Sequence, residues 1–531
     1  MVHCPAVMSA TATGTAHRLR AGTALWTLAL AFTALLAVLR LGGAGHFLSS
    51  GLAAIRYPFE LDFGEGVVLN QTKLLMSGQS LYRPVDRPPF LITVYPPVFH
   101  ALTAAADILV GNTLATGRSL SLGSATLAAV IIGILVWLAI GAEANALARG
   151  LPALVAGLGF LNVSYTASWA PLMRIDLVAH LLALCGVVVF VILAPRGNRA
   201  SWSAVPFLLA VYTRQSTIAA PAACLIVALL VRPALAVRLA AWLAGLGLAT
   251  FTVINRLTAG QFYFQAIRGQ ETAYDWHRLL WNLSDLRLRY PIEIAVALVA
   301  TRSLLRGLRH AEAPQPLRPM PFNWTRPVLG VYLFTAFLVS LTVGKVGSEV
   351  NYLVEFMGVV CACAGVALGD ALAAAAPRRF PRERVLRASV SALLLSALLL
   401  APALGVPRGP AIEWVEIPSL AEQAEMQRLV ALVHQVDGPV LSQMVTPLVL
   451  AGKPVEYQSC DALEQLARLG WWNPSALIAR IERQEYRLII LGFDVSKPRD
   501  WSSFTPPMIE AIRRRYAASD VIAGVWIYRP R

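Results

Sequence analysis

Charge is the first thing that this sequence has little of. Of its 531 residues, 14% are charged and 57% are hydrophobic, whereas a soluble globular chain carries about 25% charged residues. A chain this long and this poor in charge cannot bury its apolar surface in one core, so lipid must cover part of it. The sequence therefore predicts an integral membrane protein.

The positive net charge does not point to nucleic acid. The formal charge of +15 would suit a nucleic-acid-binding protein. The arginines, however, gather in short segments between apolar runs, which is the distribution that the positive-inside rule produces. We therefore expect no nucleic-acid partner.

Cysteine is scarce where it could stabilise a soluble domain. Four of the six cysteines lie in apolar segments and Cys4 lies in the leader, which leaves Cys460 alone in the C-terminal tail. One cysteine cannot close a disulfide within that tail. Cys361 and Cys363 are two residues apart in an apolar helix and point in different directions, so they are not expected to share a metal ion.

Several well-known catalytic motifs are missing as well. The chain contains no GxxxxGK[ST] phosphate-binding loop, no HExxH zinc motif and no GxSxG nucleophile elbow. His46, His100 and His277 are scattered, so no metal cage is evident, and dependence on a divalent cation is left open. These absences argue against a P-loop ATPase and a nucleotide donor. An activated donor is therefore expected to come from within the membrane.

Long uncharged runs are what the sequence has instead, and they predict a polytopic all-α transmembrane bundle. A helix needs about 20 apolar residues to cross a bilayer, and the plainest runs are 21–39, 119–142, 150–173 and 177–195. No clear cleavage site follows the first run, so we predict an uncleaved span. Weaker candidates follow at 201–213, 215–231, 239–255, 291–305, 327–344, 350–371 and 388–406.

Basic clusters orient these candidate spans. Arginine-rich segments at 196–199, 232–238, 302–309 and 378–387 are expected on the cytoplasmic side. When the spans cross the membrane alternately between these clusters, the chain has about 11 spans. If the segment 95–110 also crossed, the later basic clusters would fall on the wrong side, so we predict an interfacial or re-entrant helix there.

This thread divides the chain into three parts. They are a cytoplasmic leader at 1–20, a transmembrane domain at 21–406 with external loops near 42–94 and 256–290, and an external domain at 407–531. Within the last part, helices are predicted at 418–436, 474–484 and 506–517, and strands at 439–443, 486–492 and 521–528. The alternation predicts a small C-terminal α/β domain.

The most informative stretch for chemistry is ELDFGEG at 60–66, which places three carboxylates beside a membrane surface. Asp62 and Glu65 are spaced i, i+3, so a helical turn would put them on one face. One could act as a base while the other tunes it or holds the substrate. The plain alternative is a solvated loop with ordinary charges.

Further ionisable residues recur at the outer ends of the predicted helices. Arg174 and Asp176 form either a structural ion pair or the lining of a cavity, and Arg214 interrupts an apolar stretch. Lys345 can neutralise a phosphate, unless it only snorkels at a helix end. Arg268 lies in the second external loop, which is fit for a mobile lid.

The order of these segments resembles the GT-C superfamily of membrane glycosyltransferases. Within it, the chain is similar to bacterial relatives of the protein O-mannosyltransferases and of the lipid A aminoarabinose transferase. The residues behind the resemblance are ELDFGEG (60–66), SGQSLYRP (77–84), VYPPVFHAL (94–102), PLMRIDLVA (171–179) and GSEVNYLVEF (347–356).

The resemblance implies transfer of a sugar, with inversion, from a polyprenyl-phosphate donor to an acceptor hydroxyl. The acceptor is an unknown glycan, lipid or protein, and the site faces the periplasmic or extracellular side of a bacterial inner membrane. In this family an acidic residue of the first external loop is the base. Asp62 occupies that place here, and Glu60 competes for it. Glu65 would support the base by orienting the acceptor or by pairing with a basic residue.

The chemistry of this transfer independently predicts a wider group of substrate-binding residues. A base must activate the acceptor hydroxyl, and cations must stabilise the departing lipid phosphate. A single displacement would invert the anomeric centre. The assigned residues are Glu60, Tyr82, Tyr95, His100, Arg174, Asp176, Arg214, Arg268, Lys345, Asn351, Tyr352 and Glu355.

Two other functions fit part of the pattern. A transporter or flippase of a lipid-linked sugar, or of another anionic amphiphile, would also use arginines at membrane level. Secondary transporters commonly show internal repeats, however, and none is found here. A catalytically silent assembly or sensor protein would not need so many ionisable residues at one membrane level.

Overall fold

The computed structural model describes residues 6–306, 308, 322–376, 382–405, 413–458, 461–497 and 503–531. Cys4, Cys460, the boundary at 406–407 and part of the basic cluster at 378–387 lie outside these residues. In chain order the helices up to the second long loop are α1 (Ala6–Arg56), α2 (Phe63–Met76), α3 (Val98–Val110), α4 (Thr113–Ala139), α5 (Ala146–Leu161), α6 (Ser164–Trp169), α7 (Asp176–Leu193), α8 (Ala204–Val211), α9 (Ala219–Val231) and α10 (Pro233–Leu257).

The loop and the remaining membrane helices follow. They are α11 (Gln261–Ala266), α12 (Trp276–Arg289), α13 (Pro291–Leu305), α14 (Thr325–Ser340), α15 (Val354–Ala375) and α16 (Arg382–Ala403). Short 3-10 turns occur at Ala194–Ser203, Arg268–Gln270, Leu341–Gly344 and Val350–Leu353.

The apolar helices confirm the polytopic bundle, and the chain is a multi-pass membrane protein. Three further apolar helices, α3, α5 and α9, are shorter, and the exact number of spans stays a prediction. The segments long and apolar enough to cross a membrane are Gly22–Arg56, Thr113–Ala139, Asp176–Val211, Pro233–Leu257, Thr325–Gly344, Val350–Ala375 and Leu386–Ala403.

The first helix is longer than the sequence predicted. The expected span ended at residue 39 with a loop from 42, but α1 continues to Arg56. It ends where Pro58 follows Tyr57, because the residue before a proline disfavours the α conformation. Residues 42–56 are therefore helix, and the acidic stretch follows the helix end closely.

The apolar run at 150–173 is not one helix. Helix α5 ends at Leu161, and the side chain of its C-cap residue, Asn162, donates to the Leu158 and Arg40 carbonyls at 2.7 and 3.0 Å. The short helix α6 follows, and residues 170–175 are non-helical. This irregular segment carries Arg174 to the start of α7. As predicted, the break between α8 and α9 contains Arg214.

The C-terminal part is a small α/β unit. Its sheet has the order β1 (Val440–Ser442), β2 (Leu488–Leu491), β4 (Val525–Pro530), β3 (Tyr516–Ile522). Strands β1 and β2 are parallel and the other pairs are antiparallel. The helices are α17 (Leu420–Gln435), α18 (Thr446–Leu450), α19 (Ala462–Arg468), α20 (Ser475–Glu482) and α21 (Pro506–Arg515).

One strand prediction in this unit was wrong. The segment expected as a single strand at 521–528 contains the end of β3, a two-residue hairpin turn at 523–524 and the first four residues of β4. Ala523 and Gly524 both have positive φ, of 52° and 74°. Positive φ suits glycine but is uncommon for alanine, so the pair gave only a weak turn signal.

The C-terminal unit packs directly on the segment between α1 and α3. Phe90 pairs with Tyr457 as an isolated parallel bridge, and its amide donates to the Glu456 carbonyl at 2.9 Å. Trp472 Nε1 donates to the Val85 carbonyl at 2.9 Å. Val85, Phe90 and Ile92 belong to the apolar core of that unit. The acidic stretch therefore lies between the membrane helices and the C-terminal unit.

Helices α4 and α5 approach closely enough to require glycine. A Cβ on Gly157 would lie 2.5 Å from the Ala129 carbonyl oxygen, whereas a Cβ on Gly45 in α1 meets nothing within 4 Å. We expect Gly157→Ala to lower the free energy of unfolding by about 1–3 kcal/mol, because backbone must shift. Gly45→Ala should be neutral or slightly stabilising. Thermal melting of the purified variants tests this, and an equal loss in both would contradict it.

Candidate functional site

The acidic stretch between α1 and α2 is divided by the start of α2. Asp62 is the N-cap of that helix, and its Oδ1 accepts a hydrogen bond from the Gly64 amide at 2.9 Å. Aspartate is favoured at this position because its side chain satisfies an otherwise unpaired amide. Glu65 lies in the first turn. The two carboxylates were expected on one helical face, but their side chains have different surroundings.

Asp62 pairs with Arg174 from the irregular segment before α7. Arg174 Nη2 donates to Asp62 Oδ1, and the guanidinium lies 5.1 Å from the centre of the Trp169 ring. A Cβ on Gly64 would lie 2.1 Å from Arg174, so glycine leaves the space that this pair needs. The Asp62 side chain keeps 24% of its surface exposed. It is therefore reachable by a ligand.

Glu65 is fully buried and fully hydrogen-bonded. Arg118 of α4 holds it from two sides, through Nε at 2.8 Å and Nη2 at 2.7 Å. The amides of Leu61 and Met173 also donate to it, at 2.7 and 2.6 Å. A carboxylate with four donors and no exposed surface cannot orient an acceptor. Of its two expected supporting roles, pairing with a basic residue is the one that this geometry allows.

Arg118 uses its remaining donors on the end of α1. It donates to the carbonyls of Ala54, Tyr57 and Phe59, each at 2.6 Å. The last carbonyls of a helix lack partners within the helix, so Arg118 satisfies those of Tyr57 and Phe59 and adds a second donor to the Ala54 carbonyl, which also accepts from the Tyr57 amide at 3.1 Å. Sequence reasoning did not identify Arg118, since it immediately precedes the apolar run at 119–142. On the orientation predicted from the basic clusters, Arg118 would lie on the outer side against the positive-inside rule, and that signal could have found it.

Glu60 is buried against the C-terminal unit. Its Oε2 accepts from the Thr446 amide at 3.3 Å, and its Oε1 has no partner among the described residues. Burial raises the pKa of Glu60 to about 8, the charges of Glu65 and Asp62 add to the rise, and hydrogen bonding from Thr446 opposes it. Glu60 is therefore protonated at neutral pH.

A fourth carboxylate, Asp176, joins three segments beside the pair of Asp62 and Arg174. It accepts from Trp169 Nε1 at 2.7 Å and from Asn351 Nδ2 at 2.8 Å. Arg214 Nε lies 3.1 Å from it, and that guanidinium stacks over the Tyr352 ring at 4.2 Å. Trp169 thus contacts both Arg174 and Asp176, and it connects the Asp62–Arg174 pair with the Asp176–Arg214 pair.

Tyr95 lies close enough to both groups to interact electrostatically with Asp176, Tyr352, Arg174 and Arg214. Its carbonyl accepts a hydrogen bond from Tyr82 at 2.9 Å. Tyr82 is buried and packs edge-on against Phe262 at 5.0 Å. The contacts of Tyr82 therefore position the Tyr95 segment rather than expose a hydroxyl to a ligand.

Four of the candidate residues have surroundings of their own. His100 is buried in α3 with Nδ1 3.2 Å from the Thr72 hydroxyl, and Glu355 accepts from Tyr332 at 2.7 Å. Arg268 pairs with Glu271 at 2.9 Å and stacks on Trp471 at 4.5 Å. Lys345 has no carboxylate or hydrogen-bond partner for its ammonium group in the described part of the chain. Among the described residues, Lys345 therefore lacks a partner for its charge, and His100 Nε2 lacks a hydrogen-bond partner as well.

Possible metal ligands do not gather in the part of the chain that the structure describes. No group of three or more histidine, cysteine, aspartate or glutamate side chains there could hold a metal ion.

The fold has counterparts among solved structures. Comparison with protein-family models finds no match, and comparison with curated protein sequences finds none. ArnT from Cupriavidus metallidurans, solved bound to undecaprenyl phosphate, is similar with a TM-score of 0.56 and 12% identity, over 92% of this chain and 97% of ArnT. Its apo structure gives a TM-score of 0.56 and 13% identity over the same shares.

A more distant match is the oligosaccharyltransferase of Archaeoglobus fulgidus. Its TM-score is 0.49 and its identity 9%, over 90% of this chain and 72% of that one. The similarity to ArnT confirms that this chain has the fold of the GT-C membrane glycosyltransferases. At 12% identity the likeness concerns the fold alone.

The buried Glu65–Arg118 pair should be essential for stability. We expect Glu65→Gln to lower the free energy of unfolding by about 3–5 kcal/mol, because it leaves a buried guanidinium charge unpaired. Glu425→Gln is a matched control, since Glu425 pairs with Arg428 on the surface and such pairs contribute about 0–1 kcal/mol. Thermal melting in detergent measures both. Equal melting temperatures for the two variants would refute the structural role.

Glu60 should make stability depend on pH. The unfolded chain ionises Glu60 above its ordinary pKa of 4.5, whereas the folded chain keeps it protonated up to about pH 8. The folded state therefore loses stability as pH rises through this window. Glu60→Gln should match the wild type near pH 4.5 and be more stable at pH 8. A difference that does not change with pH would contradict this, and Glu425→Gln gives the baseline for an ordinary glutamate.

Proposed function

We propose that this protein is a glycosyltransferase that moves a sugar from a polyprenyl-phosphate donor to an acceptor hydroxyl, with Asp62 as the general base. The observation that carries the proposal is the difference in exposure within the acidic stretch. Asp62 keeps 24% of its side chain exposed, whereas Glu65 keeps none and Glu60 is only 7% exposed.

The hydrogen bonds of Asp62 leave one oxygen for chemistry. Gly64 and Arg174 both donate to Oδ1, and Oδ2 accepts no hydrogen bond from any described residue. A general base must bring a free lone pair within hydrogen-bond reach of the proton that it removes. Glu60 does not meet this requirement at neutral pH because it is protonated, and Glu65 does not because its lone pairs are occupied.

Arg174 is proposed to hold the base in place. Its ion pair with Asp62 orients the carboxylate, and stacking on Trp169 fixes the guanidinium. When Asp62 takes the proton of the acceptor hydroxyl, the acceptor oxygen forms a bond to the anomeric carbon. The bond from that carbon to the phosphate oxygen breaks, and polyprenyl phosphate leaves. One displacement inverts the anomeric centre.

The leaving phosphate needs cationic stabilisation. Arg214 is proposed for this role because its Nη2 is buried without a partner in the described chain, and Asp176 and Tyr352 fix the rest of the group. Lys345 is proposed as a second cation, since its charge is not neutralised by a carboxylate. Asn351, Tyr95 and Tyr352 are proposed to border the substrate. Arg268 is proposed to act through the second loop, and Tyr82, His100 and Glu355 to hold the surrounding segments.

The known ligand of a similar fold supports the type of donor. ArnT from Cupriavidus metallidurans was solved with undecaprenyl phosphate bound, which is a lipid phosphate of the kind that this reaction would release. On this basis we also propose a bacterial inner-membrane location with Asp62 on the periplasmic side. The acceptor is a hydroxyl of a glycan, lipid or protein at that surface.

A panel of radiolabelled polyprenyl-phosphate sugars, offered with envelope lipids and peptides, tests the proposal. We expect the donor to lose its label, and Asp62→Asn to lower kcat by about 10²–10⁴-fold, the usual effect of removing a general base. Asp86→Asn is the matched control, because Asp86 is an exposed carboxylate in the same segment.

Two results would overturn the proposal. Full transfer by Asp62→Asn together with loss in Glu60→Gln would move the base by two residues. Donor that binds and moves between leaflets but stays intact would make the protein a transporter of lipid-linked sugars.

A further inference from the structure

A cavity that Asp62 does not line lies between α1, α5, α13, α15 and α16. Its volume is about 460 Å³, which is within the range of ligand sites and far more than a few waters need. Most of its lining is apolar, including Leu39, Ile292 and Met357. Two arginines and a glutamate interrupt that lining, namely Arg40, Arg289 and Glu293.

Arg40 reaches the cavity through a gap made by glycine. A Cβ on Gly159 would lie 2.4 Å from Arg40 Nη1, and a Cβ on Gly43 would lie 1.7 Å from the Asn162 side chain. Asn162 in turn donates to the Arg40 carbonyl at 3.0 Å. Residues of α1 and α5 therefore fit together around this one guanidinium.

The Arg40 guanidinium is incompletely satisfied. It donates one hydrogen bond, to the Val155 carbonyl at 2.8 Å, and its nearest carboxylate, Glu293, is 4.0 Å away. Arg118, by contrast, uses all its donors at 2.6–2.8 Å. A largely buried charge, with 13% of its side chain exposed, is costly among apolar helices when it lacks close partners. Arg40 therefore has donors left for an anion.

Of the other two charges at the cavity, Arg289 is paired more closely than Arg40, whereas Glu293 is not. Arg289 Nε lies 2.8 Å from Asp285, and its Nη2 contacts Glu413. Glu293 has one oxygen, Oε2, without a partner in the described chain. The unused hydrogen-bond donors that could bind an anion are therefore on Arg40. An incoming anion would have to compete with Glu293 for them.

We propose that this cavity binds the phosphate headgroup of a lipid, with the phosphate on Arg40 and the chain along the apolar lining. An apolar cavity among membrane helices selects an amphiphile, and an arginine with free donors selects phosphate, which it can contact bidentately. The site is separate from Asp62 and does not rest on the transfer reaction. It makes the protein a binder of anionic lipid phosphates, in preference to zwitterionic phospholipids, at a position apart from Asp62.

Native mass spectrometry of the full chain with dioleoylphosphatidic acid tests the site. We expect Arg40→Gln to weaken binding by about tenfold or more, since hydrogen bonds to charged groups are among the strong ones. Glu293→Gln should strengthen binding because it removes the competing carboxylate. Ala403→Phe, which narrows the cavity at α16 without touching Arg40, should weaken it even if Arg40→Gln folds poorly.

The controls decide between a built site and other sources of binding. Arg238→Gln removes an exposed arginine of α10 that does not line the cavity, and it should leave binding unchanged. An equal loss in Arg238→Gln would show nonspecific attraction and overturn the proposal. So would equal affinity for dioleoylphosphatidylcholine, displacement of the lipid by an equal concentration of inorganic phosphate, or weaker binding by Glu293→Gln.

Discussion

The pairing of Glu65 with Arg118 is the contact on which the geometry of the site depends. Arg118 holds the end of α1 through three carbonyls, and Glu65 holds the start of α2 and the amide of Met173. Met173 is the residue before Arg174, so the same pair sets where Arg174 meets Asp62. A buried ion pair adds little net stability over a well-packed apolar pair, although removing one of its partners is strongly destabilising. Its effect here is to fix the positions of four segments that share no backbone hydrogen-bonding pattern.

Three carboxylates within six residues acquire different chemistry from their surroundings alone. Glu60 faces a backbone amide of the C-terminal unit and stays protonated, Glu65 is neutralised by Arg118, and Asp62 pairs with Arg174 at the surface of the site. Two glycines beside these carboxylates leave the space that the separate pairings need. Gly64 leaves room for Arg174, and Gly66 leaves room for Glu60 and Thr446. The residue types therefore identify the three carboxylates as candidates, and the packing around each one determines its role.

Much of the fold could be predicted because it depends on composition. The apolar helices, the break at Arg214, and α17, α20, α21 and the first two strands of the C-terminal unit follow from local patterns, whereas α18 and α19 were not predicted. Partners distant in sequence could not be predicted. Arg118 is 53 residues from Glu65, and nothing local marks it as a partner. The extension of α1 to Arg56 and the end of α5 at Leu161 also depend on capping contacts, which a hydrophobicity count does not register. Arg174 and Asp62 were identified as candidates, but their pairing needed the three-dimensional structure.

The short helix α6 connects the two regions that could hold ligands. At its first residue, the Ser164 amide donates to the Tyr290 hydroxyl at 2.7 Å, and Tyr290 lines the cavity beside Arg40. At its last residue, Trp169 donates to Asp176 and stacks with Arg174. Tyr290 is therefore connected to Asp62 by six helical residues, the contact of Trp169 with Arg174 and one ion pair. A single short element thus has contacts with both regions. Within the described residues α6 has such contacts, and its position between α5 and α7 follows from the early end of α5.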